Sequence, residues 1–461
     1  MPQLWTRAST GALTTLLVWT TAAPAQDAAT RSNETDYRTE MAHPRLLLPP
    51  RRARLLKRER EREAMRWAQF HTLMISNVRF PEPGLAHALY YVASEDREHA
   101  RKAIEFALTP ASDLRQTALV FDWCQAVLTE DESRRLMAKM SAALEKAAAA
   151  ADLATVRSRI LAAVALTDHI PDMPARHIRP VVEQWWPKHV STPIKRGEIP
   201  IAQKDFLALM EMLHVLRDNI DVELRETNGK FFATLPVYHL LSHYPAPFPG
   251  SESEYRLPLM AQHGEPNLME AVLSRAAALA MVAYDTNSQE MQFLQGWLIQ
   301  DRYLMRGAAG IPYEFLWANP YQPGLSFHYL PNIYHDPSTG RLIIRSTWDD
   351  DATWYYQSGG VMQMFRNAQI VNVKAGELKE PVVMGNTVLL TAALAPKFTV
   401  AAGSEKTRYY IIGLKPRTRY EIEVDDEELR EVSSDFGGVL DLEFPPGRNA
   451  GVLLRESRPL R

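Results

Sequence analysis

A single cysteine, Cys124, stands in the 461 residues, so no intrachain disulfide can form and stability has to come from a buried core. Neither charge is in excess: 52 Lys and Arg against 55 Asp and Glu give a net −3. That balance excludes a broadly basic face for nucleic acid. No apolar run approaches the roughly 20 residues needed to cross a membrane, so stable insertion is not expected. No glycine-rich phosphate loop and no nucleophile elbow is present. His239 and His243 stand four apart, but no third ligand follows at a recognised spacing, so neither a metal nor a cofactor is expected. What is abundant is hydrophobic content, 46%, the mark of an ordered globular chain.

The N-terminus carries the signals of export. Arg7 supplies a positive start, Gly11 to Trp19 a short apolar core, and Ala23-Pro24-Ala25 a cleavage site. Residues 1–25 are therefore expected to be a signal peptide, with the mature protein periplasmic or extracellular. Removing 25 residues from 461 leaves 436, enough for two domains at roughly 100–200 residues each. Residues 26–42 read as a mobile polar leader.

The remaining chain changes period once. Over 43–330 the apolar residues recur at helical spacing and in pairs. Leu114, Ala118, Phe121, Cys124 and Leu128 form one stripe; Phe206, Leu209, Met210 and Leu213 another; Leu268, Val272, Ala276, Leu279 and Ala283 a third. Thr129 and Glu132 make a capping box between helices. The charged stretch from Arg51 to Arg66 alternates sign at i, i+4 and reads as one solvated helix. A single long interruption, 243–266, holds four prolines before 260 and has the length of a functional loop. Over 331–461 the period becomes two, with strands expected at 342–345, 353–357, 370–373, 388–390, 409–412, 420–424 and 439–444. Leu414, Pro416 and Tyr420 are spaced like a tyrosine corner, which makes Tyr420 structural. The expected fold is α+β and multidomain: an incomplete (α/α) toroid over 43–330, then an antiparallel β-sandwich over 331–461.

Specific segments resemble the heparinase II/III-like and alginate-lyase-like polysaccharide lyases. They are His43-Pro44-Arg45-Leu46-Leu47-Leu48, Leu89-Tyr90-Tyr91 with Ser94-Glu95-Asp96, Leu119 to Cys124 with Leu128-Thr129, and Arg345-Ser346-Thr347-Trp348-Asp349 with Gly359-Gly360. The resemblance spans most of the chain beyond residue 25 and implies a toroid whose cleft faces the sandwich. It also implies cleavage of uronate-containing glycans by β-elimination, a carbon–oxygen lyase reaction. Two departures stand against that chemistry. Where the family carries an Asn-His pair, this chain has Ile201-Ala202-Gln203-Lys204-Asp205. Where the family's first strands lead to histidine and aspartate, Val361 to Asn367 contains no histidine.

Elimination needs a group that neutralises the uronate carboxylate, a base for the neighbouring C–H and an acid for the leaving oxygen. The aromatic-rich stretch 313–329 offers such groups between two prolines and a glycine. The candidate proton-transfer residues are His328, Tyr321 and Tyr329, with Tyr255 from the long loop. Trp317 is the candidate for stacking on a sugar; Asn319, Gln322 and Arg345 are candidates for holding carboxylate or hydroxyl groups. The expected partner is a polysaccharide or oligosaccharide. Two other readings stay open: a glycan-binding or scaffold protein without catalysis, and a glycoside hydrolase using Glu314 and Asp336.

Overall fold

Helices begin where the sequence supplies a side-chain acceptor for orphaned N–H groups. Asp96, Asp113, Thr129, Asp152 and Asn267 each cap the first turn of the helix that follows. At Thr129 the full reciprocal box with Glu132 forms. In the computed structural model, the residues described are 37, 39, 42–76, 78–250, 254–260, 264–300, 305–426, 428–447 and 449–457. The expected signal peptide lies outside them, as does the expected leader apart from residues 37, 39 and 42.

The helices are α1 (Pro50–Glu61), α2 (Met65–Ile75), α3 (Pro83–Ser94), α4 (Arg97–Leu108), α5 (Leu114–Trp123), α6 (Glu130–Ala147) and α7 (Leu153–Leu166). They continue with α8 (Thr192–Lys195), α9 (Phe206–Ile220), α10 (Gly229–Leu241), α11 (Leu268–Tyr284), α12 (Gln289–Gln300) and α13 (Ile311–Trp317). Helices α3, α5, α7, α9, α11 and α13 pack each against the next, and α13 returns to α3. They make an inner ring, with α2, α4, α6, α10 and α12 packed outside it. The ring helices α5 and α9 are nearly all buried, and α7 is buried from Arg159 onward, because they face the ring on one side and the outer layer on the other.

The charged N-terminal stretch does not continue as one helix. It breaks at Glu63, whose φ is 49°, into α1 and α2. Nor is it wholly solvated: Glu59 is fully buried and pairs with Arg66 at 2.6 Å. A buried carboxylate needs such a partner.

A two-stranded pair, β1 (Phe248–Pro249) with β2 (Glu254–Tyr255), lies within the long loop. After α13 come three sheets. The first orders β3 (Ile333–Asp336), β4 (Arg341–Arg345), β5 (Trp354–Ser358), β6 (Val361–Arg366) and β7 (Gln369–Asn372) as an antiparallel meander. The second joins β8 (Val382–Met384), β9 (Thr387–Thr391), β11 (Thr407–Ile412) and β14 (Leu440–Phe444). The third joins β10 (Lys397–Val400), β15 (Ala450–Glu456), β12 (Arg419–Val424) and β13 (Glu428–Ser433). The sheets are not purely antiparallel as expected: β9 and β11 pair in parallel. The reason is topological. Strand β10 crosses to the third sheet, so the chain returns to the second in its original direction.

Alternation along the strands stacks these sheets in layers. Ile343, Trp354, Tyr356 and Phe365 of the first sheet join the helical core. Leu342, Ile344, Tyr355 and Met364, on its other face, meet Leu389, Tyr410 and Ile412 of the second sheet. The second sheet's other face, with Leu390, Tyr409 and Ile411, packs on Tyr420, Ile422, Val452 and Leu454 of the third. Strands β4, β5 and β9 are therefore buried at every residue. Tyr420 accepts the Lys415 N–H at 3.2 Å, the bond a tyrosine corner makes.

Candidate functional site

A cleft of about 280 Å³ opens where helices meet the first sheet. Four segments build it: the end of α10 and the following loop (Leu240, His243, Tyr244, Arg256), the last turns of α12 (Trp297, Gln300), the turn bearing Phe327 and His328, and the stretch after β4 (Arg345, Trp348, Asp349, Asp350). The long loop is fastened to the first sheet through Gln363. Tyr244 donates to Gln363 Oε1 at 2.6 Å, and Gln363 donates to the Met260 carbonyl at 2.7 Å. Gln363 thus occupies the histidine-free stretch 361–367 as a buried anchor.

The cleft brings two arginines, Arg256 and Arg345, together with two aspartates, Asp349 and Asp350. Arg345 is 6% exposed, and its guanidinium donates to the carbonyls of Thr347, Trp348 and Asp349 at 2.7 to 3.2 Å. Burial, and then the neighbouring Arg256 charge, lower its pKa to about 10, so it stays cationic at neutral pH. Among the described residues it has no carboxylate partner at ion-pair distance. Arg256 lies beside it, paired with Asp350 at 2.9 Å and bonded to the Pro245 carbonyl. Aromatic rings line the same space: Trp348 sits under Arg345 at 5.1 Å, and Phe327 stacks on His328 at 4.3 Å. The imidazole of His328 is exposed.

Two other lining groups are held out of proton transfer. His243 is buried, and burial lowers its pKa to about 4. Its Nδ1 donates to the His239 carbonyl at 2.8 Å, leaving Nε2 to accept the Ser274 hydroxyl at 3.0 Å. Burial raises the Tyr244 phenol to about 12, and its oxygen also accepts the Met260 N–H.

The structure divides the sequence-predicted residues. His328 and Arg345 come together at the cleft. Tyr329 follows His328 and is 84% exposed. Tyr255 is buried in β2, one residue before Arg256. Trp317 is not brought to the cleft: it is 1% exposed, lies against His214 of α9 and sits beneath Arg52. Asn319 caps the Tyr321 N–H with its side chain, and the carbonyls of Asn319 and Gln322 accept the Gln295 amide. Tyr321 lies instead against Arg58 and Arg62. The hydrolase candidates also separate: Glu314 is buried against Arg275 at 3.1 Å, and Asp336 accepts from Ser338 and Thr339 in a turn. Gln203 does not reach the cleft lining; it donates to Ser242 Oγ at 2.7 Å.

Sequence reasoning missed Arg256, Trp297, Trp348 and Asp350. Two signals were available: Arg256 adjoins Tyr255 in the long loop, and Trp348 to Asp350 follow directly on Arg345. Trp297 reads as one more apolar position on a helix. A second polar cluster was missed at the N-terminal ends of the ring helices. Glu211 of α9 is fully buried between Arg115 and Arg157, Arg115 also binds Glu82, and Glu82 accepts the Tyr313 hydroxyl. Its two carboxylates and two guanidinium groups satisfy one another and tie five ring helices together. Among the described residues no group of three or more His, Cys, Asp or Glu is arranged to hold a metal, and no helix is long and apolar enough to cross a membrane.

No protein-family profile matches the chain, and no curated protein matches it in sequence. Among solved structures the chain is similar to one named glycoside hydrolase, with 9% identity and a TM-score of 0.29, over 82% of this chain and 71% of that one.

Proposed function

We propose that the protein is an exported carbohydrate-active protein that binds an acidic, uronate-containing glycan in the cleft between α12, the long loop and the first sheet. The observation that carries this reading is the buried Arg345 guanidinium, without a carboxylate partner, beside Arg256 and an aromatic wall. Planar guanidinium groups match the two oxygens of a carboxylate, and aromatic faces suit sugar rings. Asp350 pairs with Arg256 and Asp349 lies in the same lining, so the group that would draw an anion over a neutral sugar is Arg345, which carries charge without a carboxylate at ion-pair distance.

Lyase chemistry is the second reading, favoured by the exposed His328 at the same cleft. With the carboxylate neutralised by the arginines, neutral His328 would take the adjacent ring proton. The electrons would form the ring double bond and expel the glycosidic oxygen, which solvent protonates.

Calorimetric titration with tetrasaccharides of alginate and of neutral dextran tests the binding. The alginate fragment should bind selectively, and Arg345→Gln, with a thermal midpoint matching the parent, should weaken it about tenfold or more, the worth of a hydrogen bond to a charged group. Equal binding of the neutral fragment, or no change in the variant, would sink the reading. Near-ultraviolet absorbance of an unsaturated uronate tests the chemistry. It should grow with time and be lost in His328→Ala while binding persists. If binding occurs without absorbance, the protein is a binder. Export is tested separately: protein recovered from a periplasmic or secreted fraction should begin at Gln26.

A further inference from the structure

We propose that the outer face of α1, with Tyr321, is a docking strip for a linear anionic polysaccharide, separate from the cleft and serving it. The proposal rests on the acidic-glycan reading of the cleft for its choice of polyanion.

Helix α1 sorts its basic residues by direction. Arg52 reaches inward to the carbonyls of Leu316 and Trp317, Lys57 pairs with Glu95, and Arg60 donates to the Ser94 carbonyl. Arg51, Arg54, Arg58 and Arg62 are exposed. Their spacing of three, four and four residues keeps them on one side over a rise of roughly 16 Å. Among the described residues none of the four is within ion-pair distance of a carboxylate. Glu61 and Glu63 are the acidic residues exposed nearby, leaving the strip positive in a chain of net charge −3.

Tyr321 adds a planar surface to the row. It is 47% exposed, with Arg58 and Arg62 at 5.0 and 5.8 Å from its ring centre. The Asn319 side chain fixes its backbone. A ring flanked by guanidinium groups can face a sugar while the cations meet its acidic substituents. From Tyr321 the chain runs past Leu325, 39% exposed, to His328 at the cleft. Seven residues reach at most roughly 25 Å, so one extended polymer can engage both places. A row of unpaired like charges repels itself, and a polyanion relieves that repulsion with strong salt dependence.

The test uses the full chain with two probes, long-chain alginate and an alginate tetrasaccharide, in affinity electrophoresis and calorimetry. Arg51→Glu/Arg58→Glu/Arg62→Glu should lower long-chain affinity by at least about tenfold and flatten its salt dependence, leaving tetrasaccharide binding as in the parent. Tyr321→Ala should weaken the long chain alone. The milder Arg51→Gln/Arg58→Gln/Arg62→Gln variant, with a thermal midpoint matching the parent, guards against misfolding. Unchanged long-chain affinity in either triple variant overturns the proposal. So does tighter binding of duplex DNA than of alginate that the triple variant abolishes, which would make the strip a nucleic-acid surface. If the tetrasaccharide fails to bind while long-chain binding still depends on the strip, the cleft reading fails and the strip stands.

Discussion

At the residue scale, this protein places ionisable groups where only a partner makes them tolerable. His43 shows the consequence for pH. Its two ring nitrogens meet Asp122 at 2.7 Å and Asp168 at 2.9 Å, and these bonds raise its pKa to about 9. The lowered pKa of Asp168 is the same interaction seen from the partner: burial opposes ionisation there, but the bonds from His43 and Arg45 prevail. The imidazolium therefore stabilises the fold fully below its unfolded value of about 6.5, and that contribution disappears as pH rises through about 9. Its upper bound is about 3 kcal/mol, reduced by solvent at the exposed edge of the ring. Thermal midpoints should fall between pH 6.5 and 9.5 in the parent. The fall should be smaller in His43→Gln, whose side chain does not titrate. Equal slopes would show that His43 contributes nothing to it. His335, held by Asp435 and Asp441 against the cost of burial and likewise near 9, supplies the slope that remains.

At the element scale, the position of His328 depends on how closely segment 319–329 lies on α12. Gly296 and Gly324 make that approach possible. A Cβ on Gly296 would stand 1.8 Å from the Leu325 carbonyl oxygen, and one on Gly324 would stand 2.3 Å from the Gly296 nitrogen. Both obstacles are backbone, so relief requires the segment to move. Gly296→Ala should cost about 1–3 kcal/mol by overpacking, although alanine is the better helix former. It should also weaken tetrasaccharide binding, because the turn carrying Phe327 and His328 is displaced. Chemical denaturation and calorimetry read the two effects. Unchanged stability would mean that the contact yields freely.

At the scale of the whole molecule, the helical ring and the first sheet share one core. Trp354 of β5 is fully buried, donates to the Leu241 carbonyl at 2.8 Å and stacks with Tyr356 at 5.8 Å. The Tyr356 hydroxyl in turn meets that of Tyr238 in α10 at 3.1 Å. Trp354→Ala should therefore cost about 3–5 kcal/mol and lower the melting of helices and strands together. Far-ultraviolet dichroism of the helices and the infrared amide band of the strands should give coincident transitions in the parent. A helical transition that stays in place while the strand transition shifts would show that the two parts fold independently.

Periodicity in the sequence determined the helical part, the later strands and the layer character of the chain, because burial on one face writes itself into residue spacing. Strands at 342–345, 409–412 and 420–424 were legible for that reason. Strands β3, β6, β8, β10, β13 and β15 were not, since their neighbours decide their burial. Local chemistry also determined the capping box at Thr129 and the bond made by Tyr420, both closed within a few residues. The cleft was legible only in part. His328 and Arg345 announced themselves by type, but nothing local says that Trp317 turns inward to His214 while Tyr321 turns outward to Arg58. Those directions, the union of Arg256 with Arg345 and the parallel pairing of β9 with β11 were decided by tertiary structure. Each depends on contacts between residues far apart in the chain, and spacing along a sequence carries no record of them.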